Sequence, residues 1–179
     1  MNKPISLRDY LIKSIRFLQL NPDKLTMFIE SGRYRSTLAT GYSMESICPV
    51  KLVIQNFSGD PDLVAFLLFQ WLRTHQSELM ANLDKNKTAV KFEAEILQND
   101  EYDIMFEVEL TERVIIQKQA DGSFNFTYPE EPQYLPAQPS TACQLIDQDG
   151  QTLATWHSAD PENSVALVMP LPRKEKNAE

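Results

Sequence analysis

Residues 57–79 read FSGDPDLVAFLLFQWLRTHQSEL, and the reading of the whole fold turns on them. Gly59-Asp60-Pro61-Asp62 has the makings of a helix start. Asp60 would be the N-terminal cap, Pro61 the first helical residue, and Asp62 a first-turn acid against the positive end of the helix dipole. An alternative takes Asp60, Asp62 and His75 as a small ligand-binding or hydrolytic site beside an apolar pocket. The capping reading accounts for the proline and both acids together. Eight of the ten residues from Leu63 to Leu72 are large and apolar. On a helical wheel Val64, Leu67, Leu68 and Trp71 make one core face. Phe66, Phe69 and Leu72 fall partly outside it, and Gln70, Arg73 and Thr74 form the polar sector. A helix with so little polar surface is sandwiched between two surfaces. The two surfaces are either a sheet and the N-terminal helix or a sheet and a neighbouring subunit.

Around this helix the chain is rich in strand patterns. Residues 6–20 predict an amphipathic helix with Leu7, Leu11, Ile15 and Leu18 on one face, capped by Ser6 with Asp9 three residues on and ended by Asn21-Pro22. Residues 24–42 predict a hairpin turning at Ser31-Gly32, which would pair Ile29 with Tyr34, Leu25 with Leu38 and Glu30 with Arg33. Residues 47–56 predict a central strand from Val50 onward, with Pro49 at its start or on an edge. Residues 88–97 and 102–110 alternate with their apolar residues at even positions. A hairpin between them must pair even with even across a loop of three or five residues. Residues 113–119 and 123–128 predict a second hairpin around Ala120-Asp121-Gly122, with Gly122 left-handed and Ile116 facing Phe126. The four prolines of 129–139 predict an extended strap. Beyond it a hairpin turns near Asp149-Gly150, 164–168 predicts a last short strand, and 171–179 a disordered tail.

The composition is that of a globular protein of 179 residues with a net charge of −8, which argues against phosphate backbones and anionic membranes as partners. Cys48 and Cys143 stand in no metal spacing and predict reduced thiols in a cytoplasm. Neither a secretory h-region nor a membrane-spanning run is apparent. His75 and His157 lack ligands at metal spacing, and His157-Ser158 with Asp160 resembles a triad in composition alone. Five scattered glycines form no phosphate loop. No cofactor is expected. From Thr88 to Arg113 eight acids face only Lys91 and Arg113. Glu93, Glu95, Glu107 and Glu109 share the face opposite the core, either as a solvated sheet face or as a contact for a basic partner.

The stretches MNKPISLRDY (1–10), NPDKLTMFIESG (21–32), FSGDPDLVAFLLFQWLRTHQSELMAN (57–82) and FEAEILQNDEYDIMFEVELTERV (92–114) resemble, in this order, the tail completion protein R (GpR) family of contractile-tailed temperate phages. The resemblance spans most of residues 1–114 and is looser beyond the proline segment. It implies a structural, non-enzymatic protein of the virion, assembled in the bacterial cytoplasm. Such a protein acts at the head-proximal end of the tail tube, with tube and head–tail joining proteins and further copies of itself as partners, in a ring that matches the sixfold tube. The resemblance transfers no catalytic residues. The expected fold is α+β: a mixed, mainly antiparallel sheet with two main helices on one face and a small C-terminal β extension. The expected organisation is a core domain (1–128), the strap (129–139), the extension (140–170) and the tail (171–179). The candidate interface is the helix flank Phe66, Phe69, Leu72 and Arg73, together with Glu93, Glu95, Glu107 and Glu109.

Overall fold

The computed structural model describes residues 1–36, 41–98, 101–132 and 139–158. Its spine is one 17-residue strand, β5 (Tyr102–Lys118), where the sequence pattern predicts two shorter ones. Strand β3 (Met44–Phe57) lies antiparallel to it from Met44↔Val114 to Phe57↔Tyr102. On the other side, β4 (Val90–Ile96) pairs with β5 in the register Val90↔Val108, Phe92↔Phe106 and Ile96↔Tyr102. Even residues therefore meet even residues across a five-residue loop, 97–101, as the alternation requires. Strand β6 (Phe124–Thr127) returns along the end of β5 with Ile116 opposite Phe126, and Gly122 has the expected positive φ of 87°.

The hairpin predicted at Ser31-Gly32 does not form. Strands β1 (Leu25–Phe28) and β2 (Arg33–Ser36) both pair antiparallel with β3, through Lys51–Ile54 and Met44–Ile47 respectively. They are two runs along one edge, so Ile29 does not face Tyr34 and Glu30 does not face Arg33. Leu38 lies outside the described residues. Gly32 lacks the positive φ that a two-residue hairpin turn needs. A Cβ on it would come within 3.2 Å of the Ile47 carbonyl oxygen, so its role is close backbone approach. Pro49 lies well inside β3, yet opposite the break between β1 and β2. Cys48, Pro49 and Val50 have no partner on that edge, so the missing N–H interrupts no ladder there.

Two helices cover the face formed by the even residues of β5. The first is α1 (Asn2–Ser14), followed by the short α2 (Arg16–Leu20); the second is α3 (Pro61–His75). Short helices α4 (Glu78–Ala81) and α5 (Leu83–Asn86) lead from α3 to β4. Leu7, Leu11 and Leu18 are buried as the helical spacing predicts, with Leu52, Ile54, Leu67, Leu68 and Ile104. The predicted single helix differs at both ends. It begins at Asn2 rather than after a Ser6 cap, and it breaks at Ile15, whose backbone is extended and bridges to Ala154. Tertiary pairing overrides helix propensity at this β-branched residue. α3 starts as read: the Asp60 carboxylate accepts the Asp62 N–H at 2.9 Å, with Pro61 in the first turn. Asp60→Ala is expected to cost about 1 kcal/mol in urea unfolding; no loss at all would sink the capping assignment.

The C-terminal hairpin, β7 (Ala142–Ile146) with β8 (Thr152–His157), lies against α1 and α2. Ala154 is buried in the core, and the Trp156 ring meets Phe66 edge-on at 5.6 Å. The second surface over the apolar helix is thus the N-terminal helix α1, with the C-terminal hairpin adding Trp156 against Phe66. The predicted strand at 164–168 and the tail at 171–179 lie outside the described residues, as do residues 133–138 of the strap.

Candidate functional site

Among the described residues three constellations stand out, and the first of them is internal. At the start of α1 the Glu112 carboxylate accepts the backbone N–H groups of Asn2 (2.7 Å) and Lys3 (3.0 Å). The Lys3 ammonium has three donors and three acceptors around it: Gln76 Oε1 at 2.8 Å, the Thr111 carbonyl at 2.6 Å and Glu131 Oε1 at 2.6 Å. Gln76 is fully buried just after α3. Its oxygen also accepts the Thr111 N–H, and its amide donates to Thr111 Oγ1 (2.6 Å) and Glu78 (3.1 Å). Ser77 donates to the Pro132 carbonyl. One node of satisfied polar groups therefore ties the N-terminus, the end of α3, the middle of β5 and the start of the strap. It joins residues from three of the stretches that carry the family resemblance. Sequence reasoning missed it by counting Glu112 only as one of the eight acids between Thr88 and Arg113. A signal was present: Glu112 has the even numbering of the core-facing residues of its strand.

His75 sits beside this node, half-buried, with its ring 4.5 Å from that of Trp71. Burial, followed by the nearby Lys3 charge, pushes its pKa down to about 4. The unfolded chain, with an ordinary histidine, binds more protons between pH 6.5 and 4. The contribution of a neutral His75 is therefore complete above pH 6.5 and is lost as the pH falls toward 4. Over that window the parent is expected to lose about 1–2 kcal/mol more than His75→Gln, allowing for partial solvent access. Parallel pH–stability curves would refute this.

Asp60, Asp62 and His75 do not come together. They lie at opposite ends of α3, about 21 Å apart at 1.5 Å per residue. Among the described residues no group of three metal-ligating side chains converges. His157 is exposed on β8. Ser158 closes that hairpin through Thr141, and Asp160 lies outside the described residues.

The helix flank divides. Leu72 is fully buried in the protein's own core and is corrected from interface to core. Phe69 is half-buried against the core, Phe66 keeps an exposed edge beside Trp156, and Arg73 is exposed.

The acidic face is partly compensated from within. Glu107 is paired with Lys91 at 2.6 Å, which holds its carboxyl below the usual range. Glu109 lies 3.8 Å from Arg33, and Asp103 accepts the Asn56 N–H. Glu93 and Glu95 are exposed on the edge strand β4 and make no ion pair among the described residues.

The described residues form an α+β scaffold locked by an internal polar node, with charged and aromatic groups spread over open surfaces. The family model described as P2 phage tail completion protein R (GpR) matches residues 1–132, and the chain belongs to that family. It is 31% identical over 156 residues to tail completion protein R of Escherichia phage P2, covering 87% of this chain and 99% of that protein. No solved structure matches significantly. The family is a structural one of phage tail assembly.

Proposed function

We propose that the protein completes the tail of a contractile-tailed phage. It acts at the head-proximal end of the tail tube, where it ends the tube and makes it competent to join the head. It works through protein–protein contacts alone, as a ring of copies matched to the sixfold tube, and assembles in the host cytoplasm. The observation that carries this reading is the likeness to the phage P2 tail completion protein over nearly that protein's whole length. The exposed Phe66 edge, Arg73 and the acidic face with Glu93, Glu95, Glu107 and Glu109 are the surfaces offered to tube, neighbour or head.

Electron microscopy of tails assembled with and without the protein tests this. Tails made without it are expected to lack a defined upper end and to stay unjoined to heads, and labelled protein is expected at that end. Normal tails on normal heads in its absence would overturn the reading.

A further inference from the structure

The central sheet has two open edges. Among the described residues nothing pairs with the free side of β4, and nothing pairs with the free side of β1 and β2. Cross-strand register assigns the side chains at each edge to a face. On the face away from the helices, β4 presents Glu93 and Glu95, which neighbour Met105 and Asp103. On the same face of the opposite edge, β2 presents Arg33 and Arg35, which neighbour Ile47 and Glu45. Both arginines are largely exposed, and each makes only a surface contact, with Glu109 and Glu45 respectively. On the helix-side face the same edges carry uncovered apolar groups: Phe92 and Ile96 on β4, 52% and 75% exposed, and Tyr34 on β2, 66% exposed.

We propose that β4 of one copy adds antiparallel to the β2 edge of a second copy, seating Glu93 and Glu95 against the second copy's Arg35 and Arg33. The occupant is argued from charge complementarity at matched spacing. Two acids two residues apart face two arginines two residues apart, with apolar groups meeting on the other side of the sheet. β4 on β4, centred on Glu93, would pair Lys91 with Glu95 at either end but set Glu93 against Glu93, and β2 on β2 would set arginines against arginines. The β4-to-β2 contact sets both acids against both arginines; it is head-to-tail, so it propagates and closes a ring wherever the rotation allows. Strand direction agrees. From β2 through β3 and β5 to β4 the strands alternate, so the next copy's β2 continues the alternation without inverting the faces. β2 lies beside residues 111–114 of β5 and β4 beside 102–108, so successive copies are offset along the strands, as in the tilted strands of a closed barrel. This inference rests on the self-association part of the proposed function and assigns its surface.

The test is a charge swap in the full chain, followed by sedimentation velocity. E93R/E95R makes both edges basic, and R33E/R35E makes both acidic. Each variant alone is expected to sediment as a monomer under conditions where the parent assembles. An equimolar mixture is expected to regain the parent's assembly, because every junction then joins opposite charges. Circular dichroism melts check that both variants fold. Should one not fold, chains carrying E95C and R33C in the parent background are mixed under oxidising conditions, and an intermolecular disulfide is expected. If both swapped variants assemble as the parent does, or their mixture stays monomeric, this interface is wrong while the tail-completion reading stands. A parent that binds tail tubes as a lone monomer overturns the self-association itself.

Discussion

Glu112→Ala is expected to lower the unfolding free energy by about 2–4 kcal/mol, measured from the urea midpoint. α1 has no side-chain cap of its own and no acid in its first turn. Glu112, more than a hundred residues away in sequence, supplies both. It accepts two N–H groups that the helix leaves unpaired and puts negative charge at the positive end of the dipole. Alanine leaves those donors part-buried without a partner, and a lost bond to a charged acceptor is worth about 1.5–3 kcal/mol. Water recovers some of this at the partly open helix end. Domains of this size are stable by only about 5–15 kcal/mol, so the loss is a large share of the total. Glu112→Gln keeps an acceptor and loses the charge, so it should fall between parent and alanine. An alanine variant within 0.5 kcal/mol of the parent would mean that the node contributes geometry and little stability.

Leu72→Ala is expected to cost about 2–5 kcal/mol, the range for emptying a closed core site. Leu72 has no solvent exposure, so the methyl groups removed leave a cavity that neighbours on a sheet-backed helix fill only in part. Phe66→Ala, six residues earlier, removes a ring that is 39% exposed and, among the described residues, meets one other aromatic ring, that of Trp156, edge-on. Its cost should be nearer 1 kcal/mol. If Leu72→Ala instead kept the parent's stability and abolished self-association, Leu72 would belong to a subunit interface and not to the core.

Local patterns were legible wherever one period ran without interruption. The even-to-even register of β4 and β5, the left-handed Gly122 turn and the Asp60 cap each rest on residues close in sequence. The alternation itself forces those outcomes. The hairpin at Ser31-Gly32 failed for a related reason. A two-residue glycine turn and sensible cross-strand pairs are also what two successive strands on one edge present, and only the partner strand distinguishes them. Pro49 was placed at a strand start because a proline interrupts a ladder. The gap opposite it, between β1 and β2, is a property of the neighbouring edge.

The sequence by itself determined the α+β class, the apolar helix at 61–75 and the strand faces, because burial follows periodicity. The stretches that mark the tail completion family were also in it. Only the tertiary structure decided what lies over that helix and what the acids do. α1 packs against it with the C-terminal hairpin adding Trp156 against Phe66, Glu112 turns inward to hold α1, and Glu93 and Glu95 stay outside on an open edge. Each of these depends on which distant segments meet. A carboxylate written beside its neighbours in a strand is the same carboxylate whether it faces water or the end of a helix.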